Sequence, residues 1–82
     1  MKILKFGADW CTSCKTLNAV METWEDATRS KVEYVDVDKN RQSAKDHRIM
    51  TMPTVLVLDE TGNEVARYTG GKITESAIAA HI

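Results

Sequence analysis

Cys11 and Cys14 are the only thiols in the chain and stand two residues apart in the run Trp10-Cys11-Thr12-Ser13-Cys14-Lys15. On a helix this spacing places both sulfurs on one side, a turn apart, so a bond between them can form and break with little backbone movement. Residue type and spacing together describe a reversible dithiol. The run falls where a short apolar strand, Ile3 to Ala8, gives way to helical periodicity near Thr12. The first turn of a helix offers unpaired amide N–H groups and the positive end of the helix dipole, both of which stabilise a thiolate. Thiolate is the species that attacks disulfides. Cys11, at the helix start, is the candidate nucleophile and Cys14, one turn deeper, the candidate resolving thiol. Lys15 either adds positive charge beside the pair or points into water.

Other uses of two cysteines fit less well. A structural disulfide closing so short a loop would restrict the unfolded chain little. A zinc site needs more ligands, and only His47 and His81 could join the cysteines, at separations matching no usual zinc pattern. Two inert buried thiols stay open, since free cysteine packs well in cores. Redox chemistry is favoured; it calls for no metal and no cofactor beyond the Cys11–Cys14 pair itself.

The elements that must position the pair come from an 82-residue chain, enough for one domain spanning 1–82 and near the lower size limit for a single hydrophobic core. With 43% apolar and 28% charged residues the composition is that of an ordinary soluble globule. A net charge of −1 without a basic run argues against nucleic acid. The longest apolar run, Val55 to Leu58, is far too short to span a membrane. Met1 is followed almost at once by a strand, with no room for a signal peptide, so the expected compartment is a reducing cytoplasm.

Ile3, Leu4 and Phe6 make the first segment a buried strand in which Lys5 is the anomaly. From Thr12 to about Arg29, Leu17, Val20, Met21 and Trp24 recur at helical intervals with Ala27 and Thr28 continuing the stripe, while Asn18, Glu22, Glu25 and Arg29 fall on the other side. One long helix is expected, its stripe against a sheet. Lys31 to Asp38, with Val32, Tyr34, Val35 and Val37, reads as a second strand, parallel to the first through a right-handed crossover. A short, exposed helix is expected over Asn40–Arg48, with Asp38 or Asn40 as cap. Pro53 stands at the head of the apolar strand Val55–Leu58. A turn at Asp59–Asn63 leads to the antiparallel return Glu64–Tyr68. After the loop Thr69–Lys72, Thr74 caps a final helix, Glu75 to Ile82, with Ile73 and Ile78 placed as a hydrophobic staple.

Laid end to end, these features resemble the thioredoxin family over nearly the whole chain. The resemblance is carried by Trp10 to Lys15, Val35-Asp36-Val37-Asp38, Met52-Pro53-Thr54, and Gly62 with Gly70 beyond it. It implies an α/β, thioredoxin-like fold with a four-stranded mixed sheet of order 2-1-3-4 flanked by three helices, lacking the family's usual first strand and helix. It further implies a cis Pro53 lying against the cysteines, Met52 pairing its backbone with extended substrate, and a groove bordered by Trp10, Gly70 and Gly71. Trp10 could instead merely pack, and the glycines could serve turn geometry alone. The implied activity is protein-disulfide reduction by Cys11 and Cys14. A thioredoxin reductase or similar electron donor is the implied partner, disulfide-containing proteins the substrates, and ribonucleotide reductase one recipient.

Three departures from the family pattern bear on that expectation. Thr12-Ser13 replaces the usual Gly-Pro between the cysteines, which should make the disulfide more oxidising. Lys5 stands where the family keeps a buried aspartate, and Tyr34 where it keeps that aspartate's lysine partner. Lys5 either sits buried near Cys14, lowering that thiol's pKa, or reaches solvent along its stem. Thr12, Ser13, Lys5 and Lys15 are thus the expected modulators. Third, the edge at Lys31–Asp38 is left uncovered, though charged; the chain is expected to be a monomer, with this edge as the place for any weak dimerisation. Two rival functions stand beside the reductase. One is a glutaredoxin-like donor to ribonucleotide reductase, disfavoured by Trp10 and by Thr12-Ser13. The other is a non-catalytic accessory subunit, for which two thiols would be superfluous.

Overall fold

Alternation along the first strand, β1 (Lys2–Gly7), divides the protein into two layers. In the computed structural model, which describes residues 1–82, Ile3 joins Met21, Trp24, Val55, Val57, Ile73 and Ile78 in the larger apolar cluster. On the opposite side of the sheet Leu4 and Phe6 join Leu56 and Leu58, with Val35, Val37 and Ile49 packed against them. The elements follow as α1 (Thr12–Met21), α2 (Asp26–Arg29), β2 (Val32–Asp36), α3 (Arg41–Asp46), β3 (Thr54–Leu58), β4 (Glu64–Thr69) and α4 (Glu75–Ala79). A 3-10 turn at Gly70–Lys72 links β4 to α4. The sheet order is β2-β1-β3-β4. β1 runs parallel to β2 and antiparallel to β3, and β3 pairs antiparallel with β4. The expected sheet order is thus the one observed.

The expected count of three helices is corrected to four. The long helix foreseen from Thr12 to Arg29 stops at Met21, and α2 starts afresh at Asp26. Thr23 explains the break: its hydroxyl donates to Val20 O at 2.6 Å, competing for a carbonyl that a continuing helix would use. Glu25 is extended, and its N–H donates to the Glu75 carboxylate at 2.7 Å, tying the new helix start to α4. Arg29 closes the gap by donating to Glu22 O at 2.9 Å. Trp24 and Thr28 stay in step with Met21 and are buried, whereas Val20 and Ala27, each one position before a buried residue, are exposed, contrary to the expected stripe. Asn18, expected on the outer side, is half-buried. The final helix also ends earlier than expected, at Ala79, while its start is as read. Thr74 Oγ1 accepts from Ala77 N at 3.2 Å, and Ile73 and Ile78 are both buried in the larger cluster.

The end of α3 matters for the site because the chain there turns back toward Met52. Arg48 adopts φ 53°, the left-handed conformation that usually falls to glycine. Arg48 N donates to Lys45 O at 3.1 Å and Ile49 N to Ala44 O at 2.9 Å, the double closure that ends a helix with a left-handed residue. Arg67 of β4 clamps the same turn, donating to His47 O at 2.6 Å and Arg48 O at 3.1 Å while paired with Glu64. Arg48→Gly removes the Cβ penalty while adding unfolded-state entropy. It is expected to stabilise the protein by about 0.5–1 kcal/mol in urea melts. A loss of stability would show that the Arg48 side chain contributes more than its backbone costs.

Candidate active site

Cys11 is the N-cap of α1, and Cys14 lies in its first turn. Cys11 has extended backbone, and its Sγ accepts from Cys14 N at 3.3 Å, so one of the unpaired helix-start amides points at the sulfur. The two sulfurs are joined in a disulfide across a Cα–Cα distance of 5.2 Å. Cys11 is 8% exposed and Cys14 1%, so an incoming group reaches the first sulfur and not the second. Ser13 Oγ lies 3.4 Å from Cys11 Sγ, within reach to donate to it, while Thr12 is exposed on the helix surface.

Beneath Cys14 the end of β1 makes room by having no side chain at residue 7. A Cβ there would lie 2.7 Å from Lys5 Nζ, 3.2 Å from Cys14 Cβ and 3.3 Å from Cys14 Sγ. Lys5 Nζ and Cys14 Sγ are therefore separated by no more than the sum of two of those distances. Of the two expectations for Lys5, burial is the one observed: it is 2% exposed and donates to Cys14 O at 3.3 Å. Its ammonium also lies 5.9 Å from the centroid of the Tyr34 ring. Burial pushes the Lys5 pKa below its ordinary value and the Tyr34 pKa above, with Glu22 adding to the latter and Arg29 opposing it. A cavity of about 140 Å³ opens beside them, lined among others by Asp9, Lys15, Asn18 and Asp36. Lys15 is exposed at this cavity, and Asn18 Oδ1 is buried with no hydrogen-bond partner.

On the surface, two grooves meet at Met52. One, of about 440 Å³, runs from Trp10 and Cys11 along Val37, Ala44, Ile49 and Met50 to Met52 and is almost wholly apolar. The other, of about 480 Å³, carries Ser13, Met52, Pro53, Gly70 and Gly71. The Met52–Pro53 bond is cis, and Gly70 N donates to Pro53 O at 3.2 Å, which holds the glycine turn against the proline. Met52 N–H and C=O take part in no main-chain hydrogen bond. Trp10 is 67% exposed, yet its Nε1 donates to Asp38 Oδ2 at 2.7 Å, so the ring is held as one wall of the first groove. The fold thus brings Trp10, Cys11, Met52, Pro53, Gly70 and Gly71 to one face.

Residues 1–82 match the sequence model of the thioredoxin family from end to end. The chain belongs to the thioredoxin family. It is 36% identical over 72 residues to a thioredoxin of Mycobacterium tuberculosis, covering 85% of this chain and 61% of that protein. A bifunctional thioredoxin reductase/thioredoxin of Mycobacterium leprae is 32% identical over 72 residues, covering 85% of this chain and 16% of its own length. The thioredoxin of Schistosoma mansoni superposes with a TM-score of 0.80 at 28% identity, over 98% of this chain and 77% of that one. The chain spans about 61% of the length of the mycobacterial relative.

Sequence reasoning missed several residues of this site. Asp38 was read as a strand end or helix cap, and nothing in a separation of 28 residues marks it as the partner of Trp10. Ile49 and Met50 were passed over; Met50, 91% exposed, is a large apolar side chain left in solvent beside Cys11, a signal that only exposure reveals. Gly7 was passed over as well, although it makes room for Lys5 and Cys14. Gly7→Ala is expected to cost about 1–3 kcal/mol by crowding both neighbours. The loss should be smaller in a Lys5→Ala background, which removes the side-chain end that the new Cβ would meet; equal losses in both backgrounds would exclude the crowding of Lys5. Because the Lys5 pKa lies below that of an unfolded lysine, the unfolded chain holds a proton that the folded chain lacks between those two values, and stability rises with pH there. Raising the pH from about 7 to about 10 is therefore expected to stabilise the wild type relative to Lys5→Met, read from urea midpoints. A difference independent of pH would contradict it.

Proposed function

We propose that this chain is a thiol–disulfide oxidoreductase, a single domain over 1–82, that reduces protein disulfides through Cys11 and Cys14. The observation that carries this is the unequal placement of the two sulfurs. Cys11 is reachable at an apolar groove, held by an amide of the helix start, and Cys14 is sealed behind it. In the reduced protein, Cys11 thiolate attacks one sulfur of a substrate disulfide, forming a mixed disulfide and expelling the other substrate sulfur as thiolate. Cys14 then loses its proton and attacks Cys11 Sγ. The Cys11–substrate bond breaks, the second substrate thiolate leaves, and two electrons have passed from the pair to the substrate.

The substrate approaches as an extended segment whose backbone pairs with the free N–H and C=O of Met52. Its side chains lie in the grooves bordered by Trp10 on one side and by Pro53, Gly70 and Gly71 on the other. Pairing of an extended peptide with an open backbone edge gives affinity without demanding a sequence, which suits an enzyme acting on many disulfide proteins. Thr12, Ser13, Lys5 and Lys15 modulate the sulfurs. The electron donor is a thioredoxin reductase; a reductase and a thioredoxin domain in one relative's chain support that pairing. Ribonucleotide reductase is one recipient, and the protein works as a monomer in the cytoplasm.

The test is reduction of insulin disulfides with dithiothreitol as donor. Cys11→Ser is expected to fall to the uncatalysed rate, and Cys14→Ser to stop at a mixed disulfide on residue 11 that can be recovered from cell extract. Wild-type rates retained in Cys11→Ser would overturn the function. With Thr12-Ser13 between the cysteines, the reduction potential is expected above the roughly −270 mV of thioredoxin. A titration giving that value or lower would show that these two residues do not destabilise the disulfide.

A further inference from the structure

Cys11 and Cys14 are not the only sulfur-bearing residues at the site. Of the four methionines in the chain, two stand at the same rim. Met52 packs against the cluster of Ala8, Cys11 and Cys14, and Met50, 91% exposed, lines the groove that opens onto Cys11. Substrate pairing through the Met52 backbone asks nothing of either thioether. Beneath the cysteines lies Lys5, a buried lysine that none of the ion pairs of the protein includes. Thiols, thioethers and an unmatched cation thus share one place.

We propose that the reduced protein binds one monovalent copper ion, Cu(I), through the thiolates of Cys11 and Cys14, with the Met52 thioether as a further donor and Lys5 as the counter-charge. On binding, both S–H bonds break, their protons leave to solvent, and each sulfur forms a bond to copper, which stays monovalent. One monocation held by two thiolates leaves a single negative charge. No electron is transferred, so the ion is cargo and not a redox cofactor. Oxidation of the pair to the disulfide uses the same sulfurs and expels the ion. The site rests on the reading of Cys11 and Cys14 as a reducible dithiol.

The donor set selects the metal. Thiolate and thioether are soft ligands, which suit Cu(I) and not magnesium, calcium or manganese. Zinc seeks a closed tetrahedral set of ligands, and no group of three or more His, Cys, Asp or Glu side chains is gathered in the protein. Asp38, behind the tryptophan wall of the groove, is already taken by Trp10 Nε1 at 2.7 Å. The thiol pair is also preorganised. Sulfurs near enough to bond to each other across a Cα–Cα distance of 5.2 Å are, once reduced, near enough to hold one ion between them. The amides of the helix start favour the thiolate form that binds metal. Charge is met as well: a Cβ at residue 7 would lie 2.7 Å from Lys5 Nζ and 3.3 Å from Cys14 Sγ, so the anionic complex forms against the lysine end. A buried charge that is costly alone is tolerated once paired. Finally, the burial of Cys14 and the apolar groove walls keep water and oxidants from the ion.

The experiment titrates Cu(I) into the reduced full chain, freed of reductant under argon, in competition with bathocuproine disulfonate, whose copper complex is coloured. The wild type is expected to withdraw one equivalent of Cu(I) from the chelator, and Cys11→Ser or Cys14→Ser to withdraw none. Met52→Leu keeps the volume and removes the sulfur; it should weaken binding about tenfold. Lys5→Leu removes the charge without adding a sulfur, and should weaken it about tenfold to a hundredfold. X-ray absorption at the copper edge of the wild type should show sulfur donors alone, a readout that does not depend on the folding of any variant. Nitrogen or oxygen donors, an unchanged affinity in Met52→Leu or in Lys5→Leu, or copper left on the chelator by the wild type would each overturn the site. Copper refused by a protein that still reduces insulin leaves the oxidoreductase function standing. A Cys11–Cys14 bond that dithiothreitol cannot open would overturn both.

Discussion

The first turn of α1 rests directly on the end of β1, at a residue 7 that has no side chain to hold it off. A Cβ at Gly7 would stand closer to Lys5 Nζ and to Cys14 than side chains ordinarily approach one another. With the space free, Cys14 sinks to near-complete burial and Cys11 stays at the rim one turn above it. The inequality between the two sulfurs is thus a packing result. It needs no special property of either cysteine, only a helix that begins above a missing side chain.

Several other features serve that same contact. Met21 and Trp24 anchor the far end of α1 in the apolar cluster with Val55, Val57 and Ile78, so the helix cannot lift from the sheet without exposing the larger part of the core. The hydrogen bond from Glu25 N to Glu75 joins the start of α2 to α4 beside that cluster. On the opposite layer, Arg67 ties β4 to the end of α3, the point from which the chain runs on through Ile49 and Met50 to Met52. The two grooves are therefore walled by segments braced from different layers of the sheet, while the sulfurs sit on the element braced by the core.

Strands and their order could be read from the sequence because β3 is an apolar run, β1 is one interrupted at Lys5, and the hairpin turn carries Asp59 and Gly62, whose chemistry is local. The cysteine pair, the helix start at Cys11 and the cap Thr74 were legible for the same reason, each depending on residues close in sequence. What sequence did not disclose lies in contacts across the fold. The start of α2 is tied through Glu25 N to Glu75, fifty residues away, and no periodicity encodes that. A helical stripe read straight through residue 28 puts Val20 and Ala27 inside, whereas the face that is buried is narrower and is carried by Met21, Trp24 and Thr28. Asp38 behind Trp10, and Met50 beside it, belong to the site only because the β1–α1 loop and the approach to Pro53 meet in space.

Lys5 shows most clearly how a local rule and the fold can disagree. By pattern, the inward positions of β1 are Ile3, Lys5 and Gly7, and a lysine at the centre of such a set conflicts with burial unless its charge escapes or is matched. Here the stem does not carry the charge to solvent, and no carboxylate matches it. The desolvation is instead met by a shift toward the neutral amine, an adjustment lysine makes more readily than arginine. An aspartate in the same place would respond to burial by holding its proton, and once ionised would oppose a thiolate at Cys14. A lysine responds by releasing its proton, and once protonated favours the thiolate. Exchanging one residue type for the other at this position therefore reverses the electrostatic sign felt by the buried sulfur while leaving the backbone that carries it unchanged.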